Sequence, residues 1–323
     1  MTAAVALGVG LAATACGDGD PSEPEVLLDL PNAGSGQTVG LAAVEPPDGI
    51  RTIEWVDRLD GTVQRLDIDA SDPSADTVHT LDVGTDGEQR GLLGQVVFDG
   101  RRFVSWTRPD SFELVVGEIL PDGDQRIVWS AGEAGGGAIG GVLDEREGQI
   151  VLGLGRNTEW DRDSAVGGAI LLIDPSGSPD QQPEELSIGY TNPWAFTATA
   201  DGSVWVADNA AGPDPDDETR DDVERIGRAD VEDDRNDMAE IAGRGRAPAA
   251  MVELADGRIG ICGFLDNELR AYDVVDTELG PATGLEPAET VMPCNTGAAV
   301  FDDGTIVTVA QTDDGESLVV LRP

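Results

Sequence analysis

The sequence contains no lysine, and all 20 of its basic residues are arginine, against 63 acidic residues. The formal net charge of −43 would repel nucleic acid and anionic lipid surfaces, so we exclude both as partners. A heavily hydrated surface suited to solubility or high salt explains the same charge without any functional role. Histidine is nearly absent, with His79 alone, and this restricts the side chains that could act as a general base near neutral pH.

Helical periodicity is also absent, because no segment repeats its apolar residues every three to four positions. Instead, an acidic residue followed by glycine leads into a short apolar run six times, at intervals of 51, 48, 54, 55 and 47 residues. A period of about 50 residues built from strands is typical of propeller blades. The sequence therefore predicts an all-β, six-bladed β-propeller. The repeats are Asp48-Gly49, Asp99-Gly100, Glu147-Gly148, Asp201-Gly202, Asp256-Gly257 and Asp303-Gly304.

The two chain ends are expected to share one blade. The last apolar strand ends near Pro323, and the segment from Val26 to Val44 precedes the first complete repeat. We expect these segments to pair and to close the ring.

The N-terminus resembles a bacterial lipoprotein signal. A small, apolar segment runs from Thr2 to Ala15 and is followed by Cys16, the position at which such a cysteine is lipidated. The segment is too short to span a membrane as a helix. No Arg or Lys precedes it, in contrast to the usual signal, and an ordinary small-residue N-terminus remains the alternative. We predict a signal over residues 1–15, an acidic tether over 16–25 and the propeller over 26–323, with the membrane contacted through the lipid alone.

The cysteine count agrees with an oxidising compartment. If Cys16 carries lipid, Cys262 and Cys294 remain as one pair that would link the fifth and sixth blades. Two reduced, buried thiols are the alternative.

One acidic stretch, residues 213–240, departs from the repeat and is predicted to be a long loop on one face. Its carboxylates could supply oxygen ligands to Ca²⁺, whereas a solvated acidic loop needs no ligand. The candidate ligands are Asp214, Asp216, Asp217 and Glu218.

Four blocks occur in the same order as in the glucose/sorbosone dehydrogenase family. Gln89-Arg90-Gly91-Leu92-Leu93-Gly94 resembles that family's Gln-x-Gly-Leu-Leu-Gly, and Gly167 to Pro175 is similar to its Gly-Lys-Ile-Leu-Arg-Leu-Asp-Pro. Thr191-Asn192-Pro193 resembles its Arg-Asn-Pro block, and Gly212-Pro213 its Gly-Pro pair. The resemblance covers roughly residues 50–323. It implies a six-bladed propeller that oxidises sugars with pyrroloquinoline quinone (PQQ) and calcium.

The resemblance also implies site residues. Gln89 and Asn192 would contact the cofactor, and the carbonyl groups of Gly212 and Pro213 would coordinate its calcium. Arg244 and Arg246, just before the fifth blade, could meet an anionic ligand at the mouth of the channel.

The chemistry that the family needs is incomplete in this chain. The family's histidine base falls, within one residue, at Gly137, its cofactor lysine is absent, and the arginine of the Arg-Asn-Pro block is Thr191. Glu133 could replace the base if burial raised its pKa. His79, in a polar stretch between blades, is interpreted as a surface residue.

Three functions therefore remain open. The first is a lipid-anchored, extracytoplasmic binding or scaffold protein that has lost redox catalysis. The second is a working quinone- and calcium-dependent sugar dehydrogenase with a rebuilt site. The third is a calcium-dependent, lactonase-like hydrolase, which needs no histidine base. Each would take a sugar or another small molecule.

Overall fold

The six predicted blades form in a computed structural model of the chain. The structure describes residues 23–30, 37–45, 49–158, 168–209, 224–231, 239–240, 246–277 and 280–323. The predicted lipidation site Cys16, the signal segment and most of the tether lie outside these residues. Gly212, Pro213, Arg244 and the four acidic candidate ligands lie outside them as well.

The described residues form 24 strands in six antiparallel sheets of four. Blade 1 contains β2 (Thr38–Val44), β3 (Thr52–Asp57), β4 (Thr62–Asp67) and β5 (Asp76–Thr80). Blade 2 contains β6 (Leu92–Phe98), β7 (Arg101–Thr107), β8 (Glu113–Ile119) and β9 (Gln125–Glu133). Blade 3 contains β10 (Gly140–Arg146), β11 (Gln149–Leu154), β12 (Ala169–Ile173) and β13 (Glu184–Ile188).

The second half of the ring repeats this arrangement. Blade 4 contains β14 (Ala195–Ala198), β15 (Val204–Asp208), β16 (Arg225–Arg228) and β17 (Ala239–Glu240). Blade 5 contains β18 (Pro248–Glu253), β19 (Ile259–Gly263), β20 (Glu268–Thr277) and β21 (Gly280–Pro293). Blade 6 contains β22 (Gly297–Val300), β23 (Ile306–Thr312), β24 (Gly315–Leu321) and β1 (Glu25–Leu30). The innermost strands β2, β6, β10, β14, β18 and β22 contact one another in this order around a central channel.

In blades 2 to 6, the repeated acidic residue–glycine pairs occupy the turn between the innermost and second strands. Gly100 and Gly257 have φ values of +70° and +81°, which glycine adopts without strain. The carboxylates of Asp256 and Asp303 accept hydrogen bonds from the backbone N–H groups of Arg258 and Thr305, two residues later. These local bonds explain why an acidic residue precedes the glycine.

The core is divided into six clusters, one between each pair of neighbouring blades. Successive residues of a strand alternate between two of them: Phe103 packs towards blade 3 and Val104 towards blade 1. This follows from the two-residue period of side chains in a strand. Among the described residues, no helix is long and apolar enough to cross a membrane.

The ring closes in blade 6, where β1 pairs with β24 and the register joins Glu25 to Val320 and Leu30 to Glu316. The expected pairing of the chain ends is therefore confirmed for residues 25–30. It is wrong for Thr38–Val44, which pair with β3 as the innermost strand of blade 1.

Cys262 and Cys294 form a disulfide across 32 residues of sequence. Cys262 lies in β19 of blade 5, and Cys294 lies in the connection from β21 to β22. Both are fully buried in the cluster between blades 5 and 6. The predicted pairing is present, and it joins blade 5 to the start of blade 6.

Two buried carboxylates tie neighbouring blades together. Glu54 of blade 1 is fully buried and accepts hydrogen bonds from Arg65 of the same blade (2.8 Å) and from Arg102 of blade 2 (2.9 Å). Glu118 of blade 2 is bound by Arg101 (2.8 Å) and Arg126 (3.0 Å). Both of these arginines also donate to the carbonyl oxygen of Pro175 in blade 3.

The Glu118 cluster predicts a loss of stability in acid. Hydrogen bonds from Arg101 and Arg126 outweigh the opposing effect of burial and lower the pKa of Glu118 from 4.5 to about 2. Because the folded pKa is depressed, the stabilisation is complete above pH 4.5 and is lost as the pH falls through 2. We expect Glu118→Gln to reduce the free energy of unfolding by about 2–3 kcal/mol at pH 7.

Urea unfolding of both proteins between pH 7 and pH 2 measures this difference, which should shrink steadily below pH 4.5. Glu184→Gln, at an exposed end of β13, is the control and should change the free energy by less than about 0.5 kcal/mol. A pH-independent difference for Glu118→Gln would contradict the assignment.

Candidate functional site

Because neighbouring strands of a blade run in opposite directions, the connections between blades lie on one side of the ring. Each innermost strand starts on the side opposite its acidic residue–glycine turn, so the connections entering these strands and the turns from second to third strands share one face. We call this face the connector rim. Gln89, Asn192 and Arg246 lie on connections entering β6, β14 and β18, and therefore belong to it. Gly212, Pro213 and Arg244 lie outside the described residues.

Gln89 joins the connections that enter blades 2 and 3. Its side-chain Oε1 accepts a hydrogen bond from the N–H of Ile139 (3.0 Å), and its own N–H donates to the carbonyl oxygen of Gly136 (3.0 Å). Gln89 therefore positions the Gly135–Ile139 loop.

Gly137, which falls within one residue of the position of the family's histidine, lies in this loop. Its carbonyl oxygen accepts a hydrogen bond from Asn157 Nδ2 (2.6 Å). A Cβ atom added at Gly137 would meet nothing nearer than Glu88 Oε2 at 3.7 Å. The backbone at Gly137 therefore has space for the Cβ atom of a larger residue.

Asp208 fixes the Thr191-Asn192 turn. Its buried carboxylate accepts hydrogen bonds from the N–H of Thr191 (2.9 Å) and of Asn192 (2.7 Å). The carbonyl oxygen of Asn192 in turn accepts the N–H of Asn209 (3.1 Å), and that of Thr191 accepts the N–H of Arg156 (3.0 Å). Backbone bonds thus connect the rim from blade 3 to blade 4.

Three asparagine side chains of the rim have a buried Oδ1 atom without a hydrogen-bond donor in the described structure: Asn192, Asn209 and Asn295. Asn192 and Asn295 are 7% and 3% exposed. The Nδ2 atom of Asn209 donates to the carbonyl oxygen of Pro248 (2.6 Å), which fixes its oxygen as the remaining acceptor. Buried polar atoms normally have partners, so these oxygens are suited to a ligand that brings donors.

The buried arginines of this rim bind the protein itself. Arg246 donates to the Asp266 carboxylate (2.5 Å), the Tyr272 hydroxyl (2.6 Å) and the Glu268 carbonyl oxygen (3.1 Å). Arg90 donates to the carbonyl oxygens of Asp86 and Ala134, and its guanidinium lies 3.8 Å from the ring centre of Phe112. The prediction that Arg246 contacts a cofactor stays a prediction, but its guanidinium already has three partners.

Arg156 differs from these arginines because it is exposed, and its backbone N–H is bonded to Thr191, which replaces the family's arginine. Four residues of the rim were not predicted from the sequence: Arg156, Asp208, Asn209 and Asn295. Only Asp208 had a visible signal, since it ends the apolar strand that follows Asp201-Gly202.

Glu133, the proposed substitute for the general base, does not have the required setting, and His79 does not lie where it was predicted. The Glu133 side chain is 66% exposed and lies 3.7 Å from Arg90, so the burial that its role needed is not present. His79 lies in β5, the outermost strand of blade 1, paired with Val63 rather than in a stretch between blades. It is partly buried, and this burial lowers its pKa.

The described residues contain no group of three or more His, Cys, Asp or Glu side chains that could hold a metal ion. The predicted calcium ligands Gly212 and Pro213 lie outside these residues and stay predictions.

The role of Asp208 can be tested by Asp208→Asn, which removes a charged acceptor from two backbone N–H groups. We expect a loss of about 1–3 kcal/mol in the free energy of unfolding and faster hydrogen exchange at the Thr191 and Asn192 amides. Asp201→Asn is the matched control, because its carboxylate accepts the N–H of Ser203 in a turn on the opposite face. Unchanged exchange at residues 191–192 in Asp208→Asn would contradict this role.

No family model and no curated protein sequence matches this chain. Solved structures do match it. The PQQ-bound form of aldose sugar dehydrogenase from Streptomyces coelicolor has a TM-score of 0.67 at 15% identity, and the match covers 94% of this chain and 99% of that one. A putative glucose dehydrogenase from Thermus thermophilus has a TM-score of 0.68 at 17% identity, with coverage of 93% and 99%.

A gluconolactonase from Xanthomonas campestris has a TM-score of 0.58 at 12% identity, and the match covers 93% of this chain and 89% of that one. Identities this low establish a shared fold only. The resemblance that the sequence motifs indicated is confirmed at that level: the chain has the six-bladed propeller fold of PQQ-dependent aldose sugar and glucose dehydrogenases.

Proposed function

We propose that this chain is a lipid-anchored, extracytoplasmic protein that binds a neutral sugar or a similar polyhydroxylated molecule at the connector rim without oxidising it. The observation that carries the proposal is the set of buried, unpartnered oxygens of Asn192, Asn209 and Asn295 on the described rim. A buried acceptor without a donor costs about 1–3 kcal/mol, which a ligand hydroxyl would offset.

The quinone of the related dehydrogenases is a tricarboxylate and needs cations around it. Arg90 and Arg246 bind groups of the protein, Thr191 stands in place of the family's arginine, and the sequence has no lysine. In the described part of the rim, the exposed guanidinium of Arg156 and that of Arg108, which is paired with Glu113 (3.3 Å), do not balance such a charge. The described residues therefore do not fit the anionic cofactor.

No described residue is suited to take a proton from a sugar hydroxyl. Glycine occupies position 137, near which the family has its histidine base, and Glu133 is exposed rather than buried. A base must reach the substrate with a pKa near the working pH. Binding without redox chemistry is the function that agrees with both facts.

Two alternatives keep a specific observation in their favour. The shared fold, the presence of Gln89 on the rim and the exposed Arg156 favour a rebuilt quinone- and calcium-dependent dehydrogenase. The fold shared with a gluconolactonase favours a calcium-dependent hydrolase. A lactone-hydrolysis assay with and without chelator distinguishes the hydrolase from the other two.

Calorimetric titration of residues 17–323 tests the main proposal. We expect neutral sugars to bind, Asn192→Ala to weaken that binding by about tenfold, and PQQ with Ca²⁺ to give no heat of binding at micromolar concentration. Thr199→Ala, in a turn on the opposite face, is the control. Tight, calcium-dependent binding of PQQ would overturn the proposal.

Gly137→His sharpens the same test, because the site has room for the side chain and the variant restores the missing base. We expect neither the wild type nor Gly137→His to reduce a dye with sugar, PQQ and Ca²⁺, with Gly137→Gln as the size control. Dye reduction by the wild type would establish the dehydrogenase alternative. Dye reduction by Gly137→His alone would locate the loss of activity at the base rather than at the cofactor site.

The anchor has its own test. A disulfide favours an oxidising compartment, which agrees with export of the chain. We expect the wild type to partition into detergent and Cys16→Ala to remain in the aqueous phase. Ser22→Ala, in the tether, should partition like the wild type, and an aqueous wild type would contradict lipidation.

A further inference from the structure

The Gly135–Ile139 loop of the connector rim carries backbone donors that the protein does not use. In the described structure, the N–H groups of Gly136, Gly137 and Ala138 have no acceptor, whereas those of the two residues that flank them do. Ala138 is only 8% exposed, and a backbone N–H at such a position is rarely left unpaired. Its φ of +51° is a strained value for alanine, and strain of this kind occurs at ligand-binding loops. The loop therefore indicates a ligand atom that accepts hydrogen bonds.

Gln89 adds a side-chain donor on one side of this loop. Because its Oε1 accepts the N–H of Ile139 (3.0 Å), the orientation of its amide is fixed and Nε2 remains for a ligand. The carbonyl oxygens of Gly137 and Ala138 accept hydrogen bonds from Asn157 (2.6 and 3.1 Å), on the other side of the loop. Since the N–H and C=O groups of a trans peptide point in opposite directions, the N–H groups of Ala138 and Ile139 point away from Asn157. The free Ala138 N–H and the Gln89 amide therefore lie on the same side of the loop.

Two glycines leave open space beside these donors. A Cβ atom added at Gly136 would meet only the Cα atom of Gly87, at 3.9 Å, and one added at Gly137 would meet only Glu88 Oε2, at 3.7 Å. Neither glycine has a φ value in the left-handed region, so the backbone does not require glycine at either position. The loop therefore has room for a small substituent of a ligand where larger residues would carry side chains.

The charges around the loop disfavour an anionic group. Glu88 is exposed, its carboxylate lies close to Gly137, and the whole chain has a net charge of −43. The exposed Arg156 precedes Asn157, on the side of the loop away from the free donors. An uncharged carbonyl oxygen avoids repulsion by the carboxylate and only accepts hydrogen bonds, whereas a hydroxyl group must also place its own proton. The group that matches the loop is therefore an uncharged carbonyl.

We propose that the ligand of the connector rim is an N-acetylated amino sugar, a neutral sugar with an acetamido group. This inference rests on the proposed function and adds the substrate class. The acetamido carbonyl oxygen accepts hydrogen bonds from Gln89 Nε2 and the Ala138 N–H, and its methyl group occupies the space beside Gly136 and Gly137. The hydroxyl groups of the sugar remain to donate to the unpartnered asparagine oxygens of the rim.

Calorimetry of the full chain with N-acetylglucosamine and N-acetylgalactosamine, each compared with its parent hexose, tests the proposal. We expect at least one acetamido sugar to bind about tenfold more tightly than its parent, because the parent leaves the loop donors unpaired. Equal affinities would overturn this inference and leave the proposed function standing, whereas no binding of any of these sugars would contradict both. Tighter binding of glucuronate than of either acetamido sugar would overturn it in favour of an anion site.

Two variants locate the preference on the loop. Gln89→Glu removes the Nε2 donor and keeps an oxygen for the N–H of Ile139, so it should reduce the affinity for the acetamido sugar to that for the hexose. Gly137→Val should do the same by filling the open space. Gln182→Glu adds the same charge in the exposed β12–β13 loop on the opposite face and should keep the preference. Melting temperatures confirm that each variant is folded, and an unchanged preference in both loop variants would contradict the proposal.

Hydrogen exchange at the Ala138 amide gives a readout that does not depend on affinity. A saturating acetamido sugar should slow this exchange, because its carbonyl oxygen supplies the missing acceptor, and the parent hexose should not. The amide of Ala134, which already donates to the carbonyl oxygen of Phe112 (2.9 Å), is the internal reference. Exchange at Ala138 that is the same with and without the acetamido sugar would overturn the proposal.

Discussion

The pairing of β1 with β24 is the contact on which the rest of the molecule depends. Every core cluster lies between two blades, so a ring left open would expose the apolar faces of blades 6 and 1 to water. Burial of these faces is the main source of stability in such a domain. The strand that closes the ring comes from the opposite end of the chain, and the fold is therefore complete only when both ends have been placed.

Closure of the ring also determines where the candidate binding site lies. Because all the sheets repeat the same strand order, every connection into an innermost strand meets on one rim, and residues far apart in sequence become neighbours. Asp208 and the backbone bonds of Asn192, Asn209 and Arg156 then fix this rim. The rim is rich in acceptors, while its buried arginines are bound to the protein. It differs in this respect from a pocket built for an anion.

Much of the fold could be predicted from the sequence, because its signals are local. The turn at Asp256-Gly257 depends on the φ value of one glycine and on one side-chain bond, and both are encoded within four residues. The alternation of side chains along each strand between two core clusters is likewise a local property of the sequence. The blade to which each N-terminal strand belongs was harder to predict. Both Thr38–Val44 and Glu25–Leu30 are apolar, and nothing in the sequence separates them into two blades.

The site was less predictable, because its properties depend on contacts between blades. Asn295 and Asn209 resemble ordinary loop asparagines in the sequence, and only the structure shows that their oxygens are buried without donors. Arg246 resembles a ligand-binding arginine until Asp266 and Tyr272 are brought beside it.

The position of β1 has a mechanical consequence. If the chain is held at Cys16, any pull between the membrane and the propeller acts first on β1, since it is the first strand after the tether. The load therefore falls on the strand that closes the ring, while the disulfide lies at the other border of blade 6 and bears none of it. Under the proposed anchoring, tension would separate β1 from β24 before it disturbs blades 2 to 5, so the ring would open first at blade 6.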